Sequence, residues 1–175
     1  MKRFLALAAC SAGLALASAP AAALVIVYNV TLSGTESVPS NTSTAFGTAT
    51  VTVDDLADTV GVVMSFTGLT GGNASAAHIH CCSTTDANAP VVIPFTGFPT
   101  TTSGTYSNTF SNVSAANIAG IEAGLAYINI HNATFPGGEI RGNILASAVP
   151  EPTSAALTLA GLAWLAAVAV RRRRG

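Results

Sequence analysis

Apolar and polar positions alternate through most of the middle of the chain, with the period of half-buried strands. The clearest case is GTATVTVD (Gly47–Asp54), where Thr trades places with Ala or Val at every second position. LVIVYNVTL (Leu24–Leu32) mixes alternation with a β-branched run, and TVGVVMSFTG (Thr59–Gly68) does the same. Further strands are expected at Ala74–His80, Gly104–Phe110, Leu125–His131 and Gly138–Ala146. One stretch, SAANIAGIE (Ser114–Glu122), is a helical candidate, with Ser114 as N-cap and Gly124 as its stop. Cys81–Ser103 is turn-rich and reads as an irregular loop. Short strands separated by turn signals predict an all-β chain, a single antiparallel β-sandwich or barrel-like domain.

The two ends break this pattern. Lys2 and Arg3 are followed by the apolar run FLALAACSAGLALA and the small residues SAPAAA, the layout of a secretory signal peptide covering residues 1–23. Cys10 belongs to that segment. Such a leader implies passage through the Sec export machinery. At the other end Val149-Pro150-Glu151-Pro152 precedes an uncharged stretch, Thr153–Val170, and then Arg171, Arg172, Arg173 and Arg174. An 18-residue helix rises ~27 Å, enough to cross a bilayer core as a transmembrane helix. The arginines would stay on the cytoplasmic side, so the domain before them faces outward. The expected organisation is a signal peptide (1–23), a β domain (24–148) and a C-terminal segment (149–175).

Removing the ends changes the charge picture. The full chain carries seven Lys and Arg against eight Asp and Glu, formally −1. The β domain alone keeps one cation, Arg141, against Glu36, Asp54, Asp55, Asp58, Asp86, Glu122 and Glu139. A phosphate backbone would be repelled, which argues against nucleic acid as a partner.

The order VPEP, helix, arginine cluster resembles the PEP-CTERM sorting signal of Gram-negative bacteria. That resemblance implies processing by exosortase, a membrane protease, and delivery of an inner-membrane-anchored precursor to the cell surface or beyond. The strings YNVTLSGTESVPS, GTATVTVD, FTGLTG, AAHIH and AYINIHNATFPGGEIRGNI, in this order over residues 28–146, resemble the CHRD domain, named from the extracellular protein chordin. The resemblance implies an extracellular β-sandwich-like module.

Candidate chemistry is concentrated in AHIHCC (Ala77–Cys82). His78 and His80 are two apart on a strand and share a face, with Cα atoms ~6.6–6.8 Å apart. His131 ends another strand. If the two strands lie side by side, three imidazoles converge, a set that suits zinc with an open position, or copper. His-x-His with a distant third His is similar to the copper site of Cu/Zn superoxide dismutase, although this chain has no fourth histidine for a bridging ligand. The alternative is that the histidines only tie strand ends together. Asn129 and Asn132 are possible supports for His131, or turn caps.

Cys81 and Cys82 are the only cysteines after the signal. Outside the cytoplasm they are expected to oxidise. A vicinal disulfide forming a rigid turn, disulfides between chains, and thiolate ligation through Cys82 are the options, the first being preferred. Glu139 and Arg141 are two apart and are expected to share a face as a structural ion pair, with Asp54, Asp55 or Glu122 as other partners for Arg141. No G-x-S-x-G, phosphate loop or H-E-x-x-H occurs. Two functions follow as expectations. One is a non-enzymatic surface or matrix module, with exopolysaccharide as a possible neighbour. The other is a metal-binding protein or copper/zinc enzyme of superoxide-dismutase type.

Overall fold

The computed structural model describes residues 25–146; the expected signal peptide and the sorting elements from Val149 to Arg174 lie outside them. In chain order the elements are β1 (Val25–Ser33), β2 (Phe46–Asp54), β3 (Thr59–Thr67), β4 (Ala74–Cys81), β5 (Val91–Pro94), β6 (Gly104–Phe110), α1 (Ala115–Glu122), β7 (Ala126–Asn132) and β8 (Ile140–Ile144). The strands form one antiparallel sheet in the order β5-β4-β7-β8-β1-β2-β3-β6, curled into a nearly closed barrel.

The alternation read from the sequence sets which side of each strand faces in. In β2, Ala49, Val51 and Val53 are buried, and they lie opposite Met64, Val62 and Val60 of β3 in an unbroken register. The other half of the sheet contributes Ile79, Ile128, Ile130, Ile140 and Ile144, all fully buried. Each such side chain removed from water is worth roughly 1.5–3 kcal/mol, so the shared interior is what closes the sheet.

Closure is made at two places by different means. Between β1 and β8 the ladder is a single pair, Ser33 with Arg141. There the strands approach so closely that a Cβ on Gly142 would collide with the Thr31 carbonyl. Between the edge strands β5 and β6 the join is aromatic. Phe95 stacks on Tyr106 (5.1 Å between centroids) and Phe110 (5.7 Å), and the Tyr106 hydroxyl donates to the Thr96 carbonyl.

The expected strands all occur, as does the helix. Ser114 caps α1, its hydroxyl accepting from the Asn117 N–H, and Gly124 ends it at φ +73°. Ile118 and Ile121 anchor the helix on the core. One element departs from expectation. Residues 81–103 are not all loop, because β5 pairs with β4 through His78–Pro94, Ile79–Ile93 and His80–Val91. Four residues, preceded by Pro90 and ending in Pro94, give too short a run for periodicity to register, and proline at an edge is tolerated because no second neighbour needs its N–H. Among the described residues no helix is long and apolar enough to cross a membrane.

Candidate metal centre

The antiparallel pairing of β4, β7 and β8 decides which side chains meet on the outer face. His78 lies opposite Asn129, and Asn129 opposite Arg141. One step along, His80 lies opposite Tyr127, and Tyr127 opposite Asn143. His131 follows Tyr127 and Asn129 on the same face by the two-residue period. The three histidines therefore converge, one ring nitrogen from each lying within 4.8 Å of the others.

Backbone carbonyls fix which nitrogens are free. His80 Nδ1 donates to the Ala89 carbonyl at 2.7 Å, leaving Nε2, which is buried and has no hydrogen-bond partner. His131 Nδ1 donates to the Pro136 carbonyl at 2.8 Å, so its Nε2 faces the cluster. His78 Nδ1 is 3.2 Å from that Nε2. Carbonyls that accept from the far nitrogen in this way orient metal-ligating imidazoles and hold their tautomer. Burial, followed by the neighbouring His131 and His80 rings, pushes the His78 pKa down to about 4. Burial also lowers that of His131, only partly offset by the bond to Pro136. Both rings are thus neutral near pH 7, the form that binds metal.

A stack holds His80 in place. Its ring lies parallel to Tyr127 at 4.7 Å, and the Arg141 guanidinium is 3.5 Å from the centroid of the Tyr127 ring. Arg141 is buried, yet its partners are carbonyls: Thr85 O at 2.9 Å and Ala87 O at 3.0 Å, with Asn88 and Asn143 Oδ1 more distant. It thereby straps the segment 85–88 across the face. The Tyr127 hydroxyl accepts from the Ala89 N–H, so Ala89 clamps Tyr127 and His80 together. Burial lowers the Arg141 pKa, against the raising effects of Tyr127, Glu36 and Asp86.

The expected Glu139–Arg141 ion pair does not form. Glu139 precedes β8 rather than lying within it, so strand alternation does not govern its direction. Its carboxylate instead accepts from Ser43 Oγ, from Thr70 N and Oγ1 (both 2.7 Å), from Gly71 N (3.2 Å) and from Asn132 Nδ2. Asn132 therefore supports Glu139 and not His131, whereas Asn129 is beside His131, with Oδ1 2.9 Å from Nε2. Cys82 is also absent from the histidine cluster. It is bonded to Cys81, and the pair lies against Gly120 of α1, where any Cβ would collide with both sulfurs.

Tyr127 was legible in AYINIH as a member of the same alternate set as Asn129 and His131, though nothing marked it as a stacking partner. The carbonyls of Ala89 and Pro136 had no signal at all, because they depend on how two loops fold back.

A family model of the CHRD domain matches residues 28–144, and one of the PEP-CTERM protein-sorting motif matches residues 148–174. Comparisons with curated proteins and with solved structures find no match. The two matches together support an exported protein that is sorted to the surface and processed at the membrane by exosortase. The chain belongs to the CHRD domain family.

Proposed function

We propose that the chain is a non-enzymatic module of the cell surface or extracellular matrix of a Gram-negative bacterium. Sec carries it out, the C-terminal helix and arginines hold it at the inner membrane, and exosortase processing passes it on, with exopolysaccharide as its neighbour. The observation that carries this reading is that the sorting motif starts at 148, four residues after the CHRD match ends at 144. The barrel thus directly precedes the sorting signal. Deleting Arg171–Arg174 and following the protein by cell fractionation and surface labelling is the test. The expected outcome is an unprocessed, membrane-retained chain; unchanged processing and surface delivery would reject the reading.

A second reading is favoured by one specific observation, the buried and unpartnered His80 Nε2 beside two further imidazoles. A buried donor or acceptor with no partner costs about 1–3 kcal/mol, and a metal ion removes that cost. On this reading the surface module binds one copper or zinc ion through His78, His80 and His131. The residues fit the ion: His78 and His131 are held neutral, carbonyls orient His80 and His131, and one nitrogen from each ring lies within 4.8 Å of the others. A superoxide-dismutase type of enzyme is less well supported, since no histidine is left to bridge a second ion. Metal analysis of the purified protein, offered copper and zinc, decides it. One ion per chain, lost in a His78→Ala/His131→Ala variant, is expected; no uptake would leave the histidines structural.

A further inference from the structure

Asn129 is 3 % exposed, and its amide oxygen meets the cluster in a contact that the Nδ1–H tautomer of His131 leaves unsatisfied. Its Oδ1 is 2.9 Å from His131 Nε2. Its Nδ2 donates to the Gly137 carbonyl at 3.4 Å, which sets the orientation of the amide. His131 therefore stands between two carbonyl-type acceptors, Pro136 O on one side and Asn129 Oδ1 on the other. A neutral imidazole has one N–H and cannot donate to both. With Nδ1–H on Pro136, the lone pair of Nε2 faces the lone pairs of Oδ1 at a hydrogen-bond distance. A cation between them turns this contact from repulsive to attractive. The unpartnered His80 Nε2 points independently to the same need.

We propose that Asn129 Oδ1 is the fourth ligand of this site, and that the resulting set of three nitrogens and one oxygen takes Cu(II) in a tetragonal arrangement. The proposal rests on the metal-binding reading above. Its geometry comes from the spacings. With metal–ligand bonds of about 2.0–2.2 Å, a separation of 2.9 Å subtends about 90° at the ion. The 3.2 Å between His78 Nδ1 and His131 Nε2 subtends about 93–106°. A ligand angle near 90° departs from the tetrahedron of a closed zinc site and suits the tetragonal N,O coordination of Cu(II). All four ligands are neutral, so the bound ion keeps its full charge.

The experiment uses the purified full chain, titrated with Cu(II) alone and read by electron paramagnetic resonance and by the dissociation constant. Copper is expected to bind tightly to many nitrogen sites whatever their shape, so the spectrum is the discriminating readout. Wild type should give an axial spectrum with hyperfine splitting from three nitrogens. Asn129→Ala should keep the nitrogen pattern, shift g‖ and weaken binding by at least about tenfold. Asn129→Asp keeps an oxygen at the position and should restore binding with a lower g‖.

An Asn129→Ala spectrum and affinity matching wild type would overturn the proposal while leaving the three-histidine site intact. A strongly rhombic wild-type spectrum would overturn the tetragonal geometry. If wild type takes up no copper, the metal-binding reading itself falls, and this inference with it. Should Asn129→Ala fail to fold, Asn129→Asp decides alone: a changed g‖ supports ligation and an unchanged spectrum rejects it.

Discussion

Two buried polar clusters hang from the same strand, β7, and differ in how completely their hydrogen bonds are met. Asn132 belongs to the first, which surrounds Glu139; Asn129 and His131 belong to the second. The Glu139 carboxylate, wholly buried, has five donors from four residues, Ser43, Thr70, Gly71 and Asn132. Its backbone carbonyl accepts from Ser37 and Asn41 as well. Everything around it donates and nothing is left over. The histidine cluster differs: with Nδ1–H on Pro136, His131 has no proton for Asn129 Oδ1, and His80 Nε2 has no partner. Buried polar groups are satisfied almost without exception, so a complete cluster stabilises the fold, and an incomplete one is where an added ion would remove a cost.

The sharpest way to test this contrast is to break the complete cluster. Glu139→Gln replaces an acceptor-only group by one carrying two N–H donors, so one or two of the surrounding donors lose their partner. The expected cost is about 2–4 kcal/mol in urea unfolding, with copper or zinc uptake unchanged. The pH dependence has a defined sign. Burial alone would raise the Glu139 pKa, but the hydrogen bonds from Ser43, Thr70 and Asn132 outweigh it and hold it below the ordinary 4.5. A carboxylate lowered on folding stabilises fully above its unfolded pKa, and that stability is lost as pH falls below 4.5 toward the folded value. Glu139→Gln should remove this part of the acid sensitivity.

The incomplete cluster should answer to metal instead. An ion held only by the folded state stabilises it by about 2.7 kcal/mol at a hundredfold excess over its dissociation constant. Thermal unfolding with and without added Cu(II) measures this. The shift should vanish in His78→Ala/His131→Ala and survive in Glu139→Gln. Equal metal-induced shifts in all three proteins would mean that the ion binds elsewhere.

How much of this could be read from the sequence depends on distance along the chain. Alternation in GTATVTVD and AYINIH placed the strands and the shared face of His78 and His80, because the period of two is local. Which strands become neighbours is not local. That β4 lies beside β7, so that His131 joins the pair, follows from the pairing of β7 between β4 and β8. The ion pair expected between Glu139 and Arg141 failed for the same kind of reason. Two-residue spacing predicts a shared face only inside a strand, and β8 starts at Ile140. Arg141, expected to need a carboxylate, found carbonyls and an aromatic face, a solution open to a planar and weakly hydrated guanidinium.

A smaller effect is expected where the disulfide meets α1. Gly120→Ala would set a methyl against both sulfurs of Cys81–Cys82, and overpacking of this kind costs about 1–3 kcal/mol. The cost should shrink in a Cys81→Ala/Cys82→Ala background, where the sulfurs are gone. A double-mutant cycle with no coupling would show that helix and disulfide do not press on one another.

The smallest expected effect is the one that most sharpens the contrast between the clusters. In the metal-free protein, His78→Ala should change stability by less than about 1 kcal/mol. His78 is half-buried, and its contact at Nδ1 is with another nitrogen whose lone pair competes with the carbonyl-type oxygen of Asn129. Losing that contact removes one weak bond and relieves crowding among lone pairs, two effects of opposite sign. The same substitution should abolish most of the stabilisation by copper. A residue that matters little to the apo fold and much to the loaded one is a ligand. If His78→Ala instead costs as much as Glu139→Gln without metal present, the histidines are ties between strands, like the donors around Glu139, and the two clusters are of one kind.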